Sequence, residues 1–575
     1  MDSPRTLAAM KLHRSISPDR WCVTYEDLCY LRDQVKQAIQ RGTITEHEGR
    51  AGELGPSIYV VNDQYIKPVT YAAGKMSWSL MRNGKGLECH IFISHAWIEG
   101  VFEFIVKVLF SWPQGAKSAW MCTLAIPQNL DIGDLIKVPR ESPFALALNV
   151  ASHVLVVPNH YKSIYTRLWC SYEAYLAHEC GKVIVIARAS QWPQTRRSLM
   201  IISLAIPPGV ILGIVARMSI PGALNNFGPA VAIVAGACTL LWPWPASRGR
   251  LATNFVAVLA LSCMTVAWEN RVYYWQEDIP IVFLSIVQRL LFVFNVVFFY
   301  VTEVDRVRSI QKKNEAEQLS RGFQSSITHS EVSHKPDGDM IWEDIGNKVE
   351  DVDHAIEVLM VAGASTPSLR HASLLGVDIT GAGHVEFGLP SVNLGPFVLL
   401  AIGDFLLAAL YAEGQNVYLA IMTVSILSRF ALAVVLFRTK DLDARCFLLK
   451  VVSKWGFLNL MLALVIFILM FLLPEVGLLP LTLWHGVNHT SYFWMLVLSL
   501  LGIRGVAALP CGRILLRIFL PWGCPRFRRP RPRSAKSEHV EESMVMKDLP
   551  LKPESVSAES ADLENACDDD DVVEL

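Results

Sequence analysis

The sequence has little charge for its length, and the charges it has nearly cancel. Among 575 residues, charged residues make up 18% and hydrophobic residues 52%, with a net charge of −1 at pH 7. A nucleic-acid-binding protein needs a basic surface, so this balance argues against that class. The mean hydropathy of +0.33 is also too high for an ordinary soluble enzyme. The chain is too long for one compact domain, so at least two folding units are expected.

Two further absences concern the compartment. The first 45 residues contain no apolar segment behind a basic start, which is the pattern of a secretory signal. We therefore expect the first hydrophobic span to direct insertion, leaving the N-terminal region in the cytosol. The twelve cysteines form no C-x-x-C motif and no zinc spacing, and none falls in a predicted outside loop. Reduced thiols are expected, and neither disulfides nor a metal site is predicted.

Long hydrophobic runs, by contrast, are abundant. A helix needs roughly 20 apolar residues to cross about 30 Å of hydrocarbon. Eight stretches reach or approach that length, in two groups of four within 199–302 and 393–509: 199–219, 228–245, 251–268, 279–301, 393–412, 416–437, 455–473 and 491–509. Every second loop between these stretches is poor in basic residues, and together these loops carry one basic residue, Arg271. The positive-inside rule then predicts a multi-pass protein of the plasma membrane or an endomembrane, with both termini cytosolic.

Three ionisable residues lie near the middle of predicted spans, where each costs about 2.5–3.5 kcal/mol on insertion. Asp404 and Arg429 fall in spans joined by a very short turn, and Arg289 lies in the fourth span. They form either a structural pair with a snorkelling arginine or a polar pathway for an ion or solute. The sequence has no clear internal repeat, which favours anchoring over transport.

The first 197 residues have the pattern of a soluble domain. In the extension 1–88, a cap-like Thr24 and Asp27 predict a helix near 25–41, and 57–61 and 65–71 resemble strands. Strands and helices then alternate, with strands predicted at 90–94, 119–126, 153–158 and 182–187 and helices at 99–110, 144–151 and 166–180. Apolar strands separated by helices predict a parallel sheet covered on both faces. In such sheets ligands bind at the carboxyl ends of the strands.

Two motifs in this region resemble those of Toll/interleukin-1 receptor (TIR) domains, most closely TIR-like domains of protist proteins. HIFISHAW at 90–97 is similar to their first-strand motif. ALNVASHVLVVPNHYKSIYTRLWCSYEAYL at 147–176 resembles their later half, which contains Trp-Cys-x-x-Glu. The resemblance covers 89–190. It implies an α/β flavodoxin-like parallel sheet at 89–197, joined here to an all-α polytopic transmembrane domain of about eight helices.

The resemblance also implies a site. In NAD-cleaving members of the family, the glutamate of Trp-Cys-x-x-Glu breaks the bond between nicotinamide and ribose, and its position here is Glu173. An oxocarbenium-like transition state needs a nearby carboxylate. Ser94 would line the same pocket, with His95 and Trp97 as neighbours and Trp169 at the wall. No cofactor is predicted, because NAD would be the substrate.

Three functions stay open. The first is a membrane-anchored TIR-like signalling protein that hydrolyses NAD. Many TIR domains are adaptors without catalysis, so the second is a module that self-associates or recruits other TIR proteins. The third is a channel or transporter with a regulatory TIR-like domain. Residues 127–140 lack the acidic-basic cluster common in the family's self-association loop, Cys170 is predicted to be structural, and Glu103 and Glu179 are predicted surface charges.

Two further regions are predicted to be cytosolic. Residues 303–392 are mostly polar, with one amphipathic helix formed by Ile341, Ile345, Val349, Val352, Ile356 and Leu359. Docking of this helix on the soluble domain or the membrane is favoured over self-association. The tail 510–575 is first basic and then acidic, and its arginines at 526–533 predict contact with anionic lipid. Beyond 534 its composition is that of a disordered segment.

Overall fold

The computed structural model describes most of the chain up to Leu520. The described residues are 3–45, 54–219, 248–267, 281–332, 335–384, 386–388, 390–391, 416–439, 441–472 and 479–520. All of them belong to one compact unit, Met1–Trp522. The predicted spans 228–245 and 393–412, Asp404 and the part of the tail beyond Leu520 lie outside the described residues, whereas the start of the predicted tail forms a helix at Gly512–Phe519.

The N-terminal extension is helical. It consists of α1 (Pro4–Ser15), α2 (Tyr25–Gln40), α3 (Ile58–Val61), a π-helical turn (Asn62–Ile66), α4 (Lys67–Ala72) and α5 (Trp78–Arg82). The predicted helix at 25–41 is confirmed: the Thr24 hydroxyl accepts a hydrogen bond from the backbone N–H of Asp27, and the Asp27 side chain accepts one from that of Thr24.

The strands predicted at 57–61 and 65–71 are wrong, because both segments are helical. Valine, isoleucine and tyrosine favour strands, but such preferences are weak and depend on context. Here the Ser57 side chain caps a helix by accepting a hydrogen bond from Val60 N–H at 3.4 Å.

The alternating region follows. Its elements are β1 (Ile91–Ser94), α6 (Val101–Phe110), β2 (Ala119–Trp120), α7 (Cys122–Ala125), α8 (Gly133–Ile136), α9 (Pro143–Val150), β3 (His153–Val156), α10 (Leu168–Glu179) and β4 (Val183–Ile186). Short 3-10 turns lie at Pro139–Glu141 and Ile164–Thr166. The second strand is shorter than predicted: 119–126 keeps only two strand residues before the helical turn at Cys122–Ala125.

The remaining elements follow from residue 192 onward. They are α11 (Trp192–Ser203), α12 (Ile206–Ser219), α13 (Arg248–Ala267), α14 (Ile281–Ser320), α15 (Lys335–Ile345), α16 (Val349–Ala362), β5 (Ala364–Ser365), α17 (Pro367–Leu374), α18 (Asn416–Arg438), α19 (Leu442–Leu472), α20 (Leu479–Ala507) and α21 (Gly512–Phe519). Within its described residues, the segment 303–392 is therefore mostly structured.

The five strands form one mixed sheet in the order β2-β1-β3-β4-β5. The first four are parallel, with Ile91 beside both Ala119 and His153, and His153 beside Val183. The order 2-1-3-4 is that of doubly wound sheets, whose ligands sit beyond the carboxyl ends of the strands. The fifth strand is antiparallel, pairing Val185 with Ala364. The predicted parallel sheet thus acquires an edge strand from a segment about 180 residues further along.

One apolar core joins the sheet to both flanking regions. Side chains of β1, β3 and β4 share it with α9, α10, α15 and α16, and with Trp21 and Leu80 of the extension. The six apolar residues of the predicted amphipathic helix contact this core, but they lie on two helices separated at Gly346. Of the alternatives for this segment, packing on the soluble domain is the one observed.

Three described stretches are long and apolar enough to cross a membrane: Trp192–Ala216, Arg248–Val266 and Thr490–Ala507. They overlap the first, third and eighth predicted spans, and the total of eight stays a prediction. The first two stretches pack closely against each other at two glycines, where a larger side chain would not fit. A Cβ at Gly209 would lie 2.5 Å from the carbonyl oxygen of Leu259, and a Cβ at Gly213 would lie 2.4 Å from the carbonyl oxygen of Cys263. Large apolar side chains are exposed on these helices and on α18, including Leu204 at 69% and Phe437 at 88%.

Candidate functional site

The predicted catalytic residue Glu173 and the predicted pocket residue Ser94 meet at the carboxyl end of the first strand. Ser94 is the last residue of β1, and Glu173 lies in the second turn of α10. Although they are 79 residues apart in sequence, the Ser94 hydroxyl donates a hydrogen bond to Oε2 of Glu173. The parallel sheet brings them together, because β1 pairs with β3 and β3 leads into α10.

Both side chains are buried. Ser94 is 2% exposed and Glu173 is 6% exposed. Burial raises the pKa of the Glu173 carboxyl to about 8, against the lowering effects of the Ser94 hydrogen bond and of the charge on Arg167. At neutral pH the carboxyl is therefore mainly protonated in this state. A pKa so displaced at the end of a parallel strand is typical of functional sites.

His95 and Trp97 lie beside this pair and share a contact with Cys122. His95 Nε2 is 3.7 Å from Cys122 Sγ, and Trp97 Nε1 donates a hydrogen bond to the same sulfur at 3.3 Å. Burial lowers the pKa of His95 to about 4 and raises that of Cys122 to about 12. The imidazole is neutral and the thiol protonated at physiological pH, so the two do not form a nucleophilic ion pair.

The extension covers this end of the sheet. The backbone N–H groups of Ile58 and Tyr59 donate to the carbonyl oxygens of Glu99 and Trp97 at 3.0 and 3.2 Å. The rings of Tyr59 and Trp97 lie 5.4 Å apart, with Tyr59 half exposed at the surface. Helix α3 is thus held by hydrogen bonds against the loop that follows β1, next to the buried Ser94 and Glu173.

Trp169 packs elsewhere along the same helix. Its ring stacks on Phe144 at 5.1 Å and meets Tyr172 edge-on at 6.0 Å. It also lines a surface hollow together with Glu331 and Ile341, which belong to the segment 303–392. Trp169 therefore helps to join α10 to that segment, and its role as a pocket wall stays a prediction.

Cys170 is buried behind the site, with Sγ 3.6 Å from the His95 carbonyl oxygen. Burial and the charge of Glu173 raise its pKa well above the usual value. A thiol held in its protonated form is unreactive, which suits the predicted structural role.

Two further residues belong to this region and were missed from the sequence. Arg167 is the N-cap of α10, is half-buried, and interacts electrostatically with Cys122, Cys170 and Glu173. Its position directly before the Leu-Trp-Cys motif is the feature of the sequence that could have identified it. Glu99 is 1% exposed, and burial raises its pKa well above the usual value.

Of the two predicted surface charges, Glu179 is exposed as predicted. Glu103 is half-buried instead, with its side chain 10% exposed: its carboxylate lies 2.5 Å from Lys107 Nζ and 3.0 Å from His160 Nε2. Glu179 pairs with Arg140 at 2.9 Å and with Lys348, the N-cap residue of α16, at 2.5 Å. Both carboxylates hold the domain together, because the first lies beside α14 and the second bridges to α16.

In the apolar helices, Arg429 is 1% exposed and its guanidinium lies 3.9 Å from the centre of the Tyr492 ring. Its predicted partner Asp404 lies outside the described residues, as does the side chain of Arg289. Within the described part of the chain, no three His, Cys, Asp or Glu side chains are grouped as metal ligands.

Comparison with known proteins gives no relative for this fold or site. No protein-family model, curated protein or solved structure matches the chain.

Proposed function

We propose that this chain is a membrane-tethered TIR-like signalling protein whose soluble domain hydrolyses NAD at Glu173. The observation that carries the proposal is the hydrogen bond between Ser94 and Glu173 at the carboxyl edge of the sheet. The strand order 2-1-3-4 and the order of the two motifs support a TIR-like fold. The three long apolar helices support the tether.

The chemistry follows from the charges. Nicotinamide in NAD is cationic, and cleavage of its bond to ribose creates an oxocarbenium-like centre, so a carboxylate beside it stabilises both. A cation entering the pocket also favours the ionised carboxyl, which offsets the burial that holds Glu173 protonated. Arg167, beside Glu173, supplies positive charge for the diphosphate of NAD.

Substrate entry requires the cover to move. In the described state Ser94 and Glu173 are buried and α3 is hydrogen-bonded to the loop after β1, so this end of the sheet must open before NAD can bind. The enclosed site also favours the alternative, a non-enzymatic interaction module in which Glu173 is structural. Either role gives a signalling protein.

The test is nicotinamide release from NAD by the full-length protein, reconstituted at high density in lipid vesicles. We expect release by the parent and a loss of about 100-fold or more in Glu173→Gln, the usual effect of removing one electrostatic or acid–base group. Glu141→Gln is the matched control, because Glu141 is exposed on a turn of the same domain. It should release nicotinamide at the parental rate.

Two results separate the alternatives. If the folded parent releases no nicotinamide at high density, the non-enzymatic interaction module becomes the supported function. Equal release by the parent and Glu173→Gln would place any catalysis elsewhere.

A further inference from the structure

A short helix of mostly apolar residues follows the last of the long helices. α21 has the sequence Gly-Arg-Ile-Leu-Leu-Arg-Ile-Phe and begins five residues after α20 ends at Ala507. Isolated helices of this length are marginal in water, so α21 depends on what covers its sides. Three kinds of side chain lie at helical spacing around it, and each kind faces different surroundings.

One side of α21 is held in the protein. Leu516, Phe519 and the following Leu520 are buried in the same apolar cluster as Val506 of α20. Gly512, the first residue of α21, lies so close to α20 that a Cβ there would clash with the carbonyl oxygen of Val506. The chain therefore turns back on itself after α20, and α21 begins beside the last turn of that helix.

This position places α21 at the end of a membrane span. Thr490–Ala507 is long and apolar enough to cross a membrane, and it exposes Leu500 at 66% and Leu501 at 42% near its end. In a span, apolar side chains this exposed face lipid. α20 bends directly after them at Gly502, whose φ is 63°, so the chain leaves the direction of the span there. The residues from the bend to α21 thus lie at the membrane boundary, on the side that is predicted to be cytosolic.

The outer side of α21 exposes two isoleucines one turn apart. Ile514 is 62% exposed and Ile518 is 46% exposed. Because successive residues of a helix are rotated by about 100°, these two lie on the side opposite Leu516 and Phe519. Water is an unfavourable surrounding for two adjacent large apolar side chains. The acyl chains of a bilayer, by contrast, bury the apolar face of a helix that lies at its surface.

The two arginines lie between these apolar sides. Arg513 and Arg517 are also one turn apart, both are exposed, and they are rotated by about 100° from the isoleucines. The other side chains of the helix are all apolar. One basic stripe on an otherwise apolar helix is typical of helices that lie in the membrane interface. The guanidinium groups then reach the headgroups, where their geometry suits phosphate.

Two other occupants of this side fit less well. A stable interface between two copies of the chain buries roughly 800 Å² on each copy, far more than two isoleucines offer. The chain after Leu520 is the other neighbour. Its first charged residues are the arginines at 526–533, which Arg513 and Arg517 repel. Anionic lipid complements both the apolar pair and the basic pair.

We propose that α21 is an interfacial helix, which inserts its two exposed isoleucines among the acyl chains of the bilayer and binds anionic lipid headgroups through its two arginines. This contact differs from the one predicted for the arginines at 526–533, because it combines insertion with charge and comes from a helix packed against α20. It is independent of NAD cleavage.

The test uses the full-length protein in vesicles of phosphatidylcholine and phosphatidylserine. Benzoylphenylalanine, a photoreactive residue, replaces Ile514 or Ile518. Val150 is the matched control position, because it is an apolar residue 50% exposed on α9 of the sheet domain. After illumination we expect about tenfold more lipid adduct at the two isoleucine positions than at the control, a preference smaller than the burial of one isoleucine provides.

Other adducts would overturn the proposal and identify the occupant instead. A crosslinked dimer would identify a second copy, and a link to residues 521–575, located by mass spectrometry, would identify the tail. Lipid adducts at Ile514 and Ile518 no more abundant than at Val150 would leave the isoleucines in water. Thermal unfolding shows whether each variant folds, and two positions are used so that one unstable variant does not decide the result.

The arginines are tested with the photoreactive residue kept at the Ile518 position. Arg513→Gln combined with Arg517→Gln should lower the preference of the adducts for phosphatidylserine over phosphatidylcholine about fivefold or more, since each basic residue near the surface contributes about that factor. Arg5→Gln combined with Arg14→Gln removes two exposed arginines from α1 and should leave the preference unchanged. An unchanged preference in the first pair, or an equal loss in both pairs, would refute the contact between α21 and the headgroups.

Discussion

Glu173 makes the stability of the domain depend on pH in an unusual direction. Burial raises the pKa of its carboxyl from 4.5 to about 8, so between these values the folded state binds more protons than the unfolded state. Its contribution to stability is therefore present at low pH and is lost as the pH rises through this window. A salt-bridged carboxylate, whose pKa is lowered, has the opposite effect.

This predicts how Glu173→Gln behaves. Glutamine resembles the protonated carboxyl, so the variant and the parent should unfold at similar temperatures at pH 5. From about pH 5 to 8 the variant should become increasingly more stable, by on the order of 1–4 kcal/mol. Thermal unfolding across that range measures the difference, with Glu141→Gln as a control that makes the same change at an exposed position. A constant difference between variant and parent would mean that Glu173 is ionised throughout.

At this scale the sequence predicted the contact but not its environment. The resemblance assigned Ser94 and Glu173 to one pocket, and the structure joins them by a hydrogen bond. Both side chains are buried, and the backbones of Ile58 and Tyr59 bind the loop after β1 beside them. Those residues were predicted to form a strand, so no covering element could be inferred. Glu103 was misassigned because its partner His160 is 57 residues away.

At the scale of elements, α16 contributes to the core of the sheet domain rather than lying on its surface. Ile356 is 1% exposed within the shared core, whereas the adjacent Glu357 is exposed. Ile356→Ala should destabilise the protein by about 2–5 kcal/mol through lost burial and a residual cavity. Glu357→Ala should change stability by less than about 0.5 kcal/mol. Thermal unfolding of the two full-length variants compares them, and equal effects would contradict the packing described for α16.

Strand and helix positions were predictable where the apolar pattern is local. The strands at 90–94, 153–158 and 182–187 agree with the structure to within two residues at each end, because each is a continuous apolar run. β5 was not predictable: it has two residues, and its pairing with Val185 depends on a chain reversal that leaves no local pattern. The left-handed Gly363, at φ 84°, ends α16 directly before this strand.

For the whole molecule, the sheet domain is assembled from distant parts of the chain. A fragment of residues 1–197 lacks α15, α16 and β5, and so exposes the core around α10 and one edge of the sheet. We expect this fragment alone to show no cooperative thermal transition. Coexpression with a separate 303–391 polypeptide should restore one, measurable by circular dichroism. A sharp transition in the lone fragment would show that the first 197 residues suffice.

Helix α14 gives the molecule a mechanical property. It runs unbroken through 40 residues, about 60 Å, from the predicted fourth span to the sheet domain. Near its far end, Gln318 contacts His160 at 3.2 Å and Lys107 at 3.5 Å, the residues that pair with Glu103. A stiff rod of this length, tilted by about 10° around its midpoint, moves each end by roughly 5 Å. A small angular change among the apolar helices would thus reach the sheet domain as a displacement larger than a hydrogen bond.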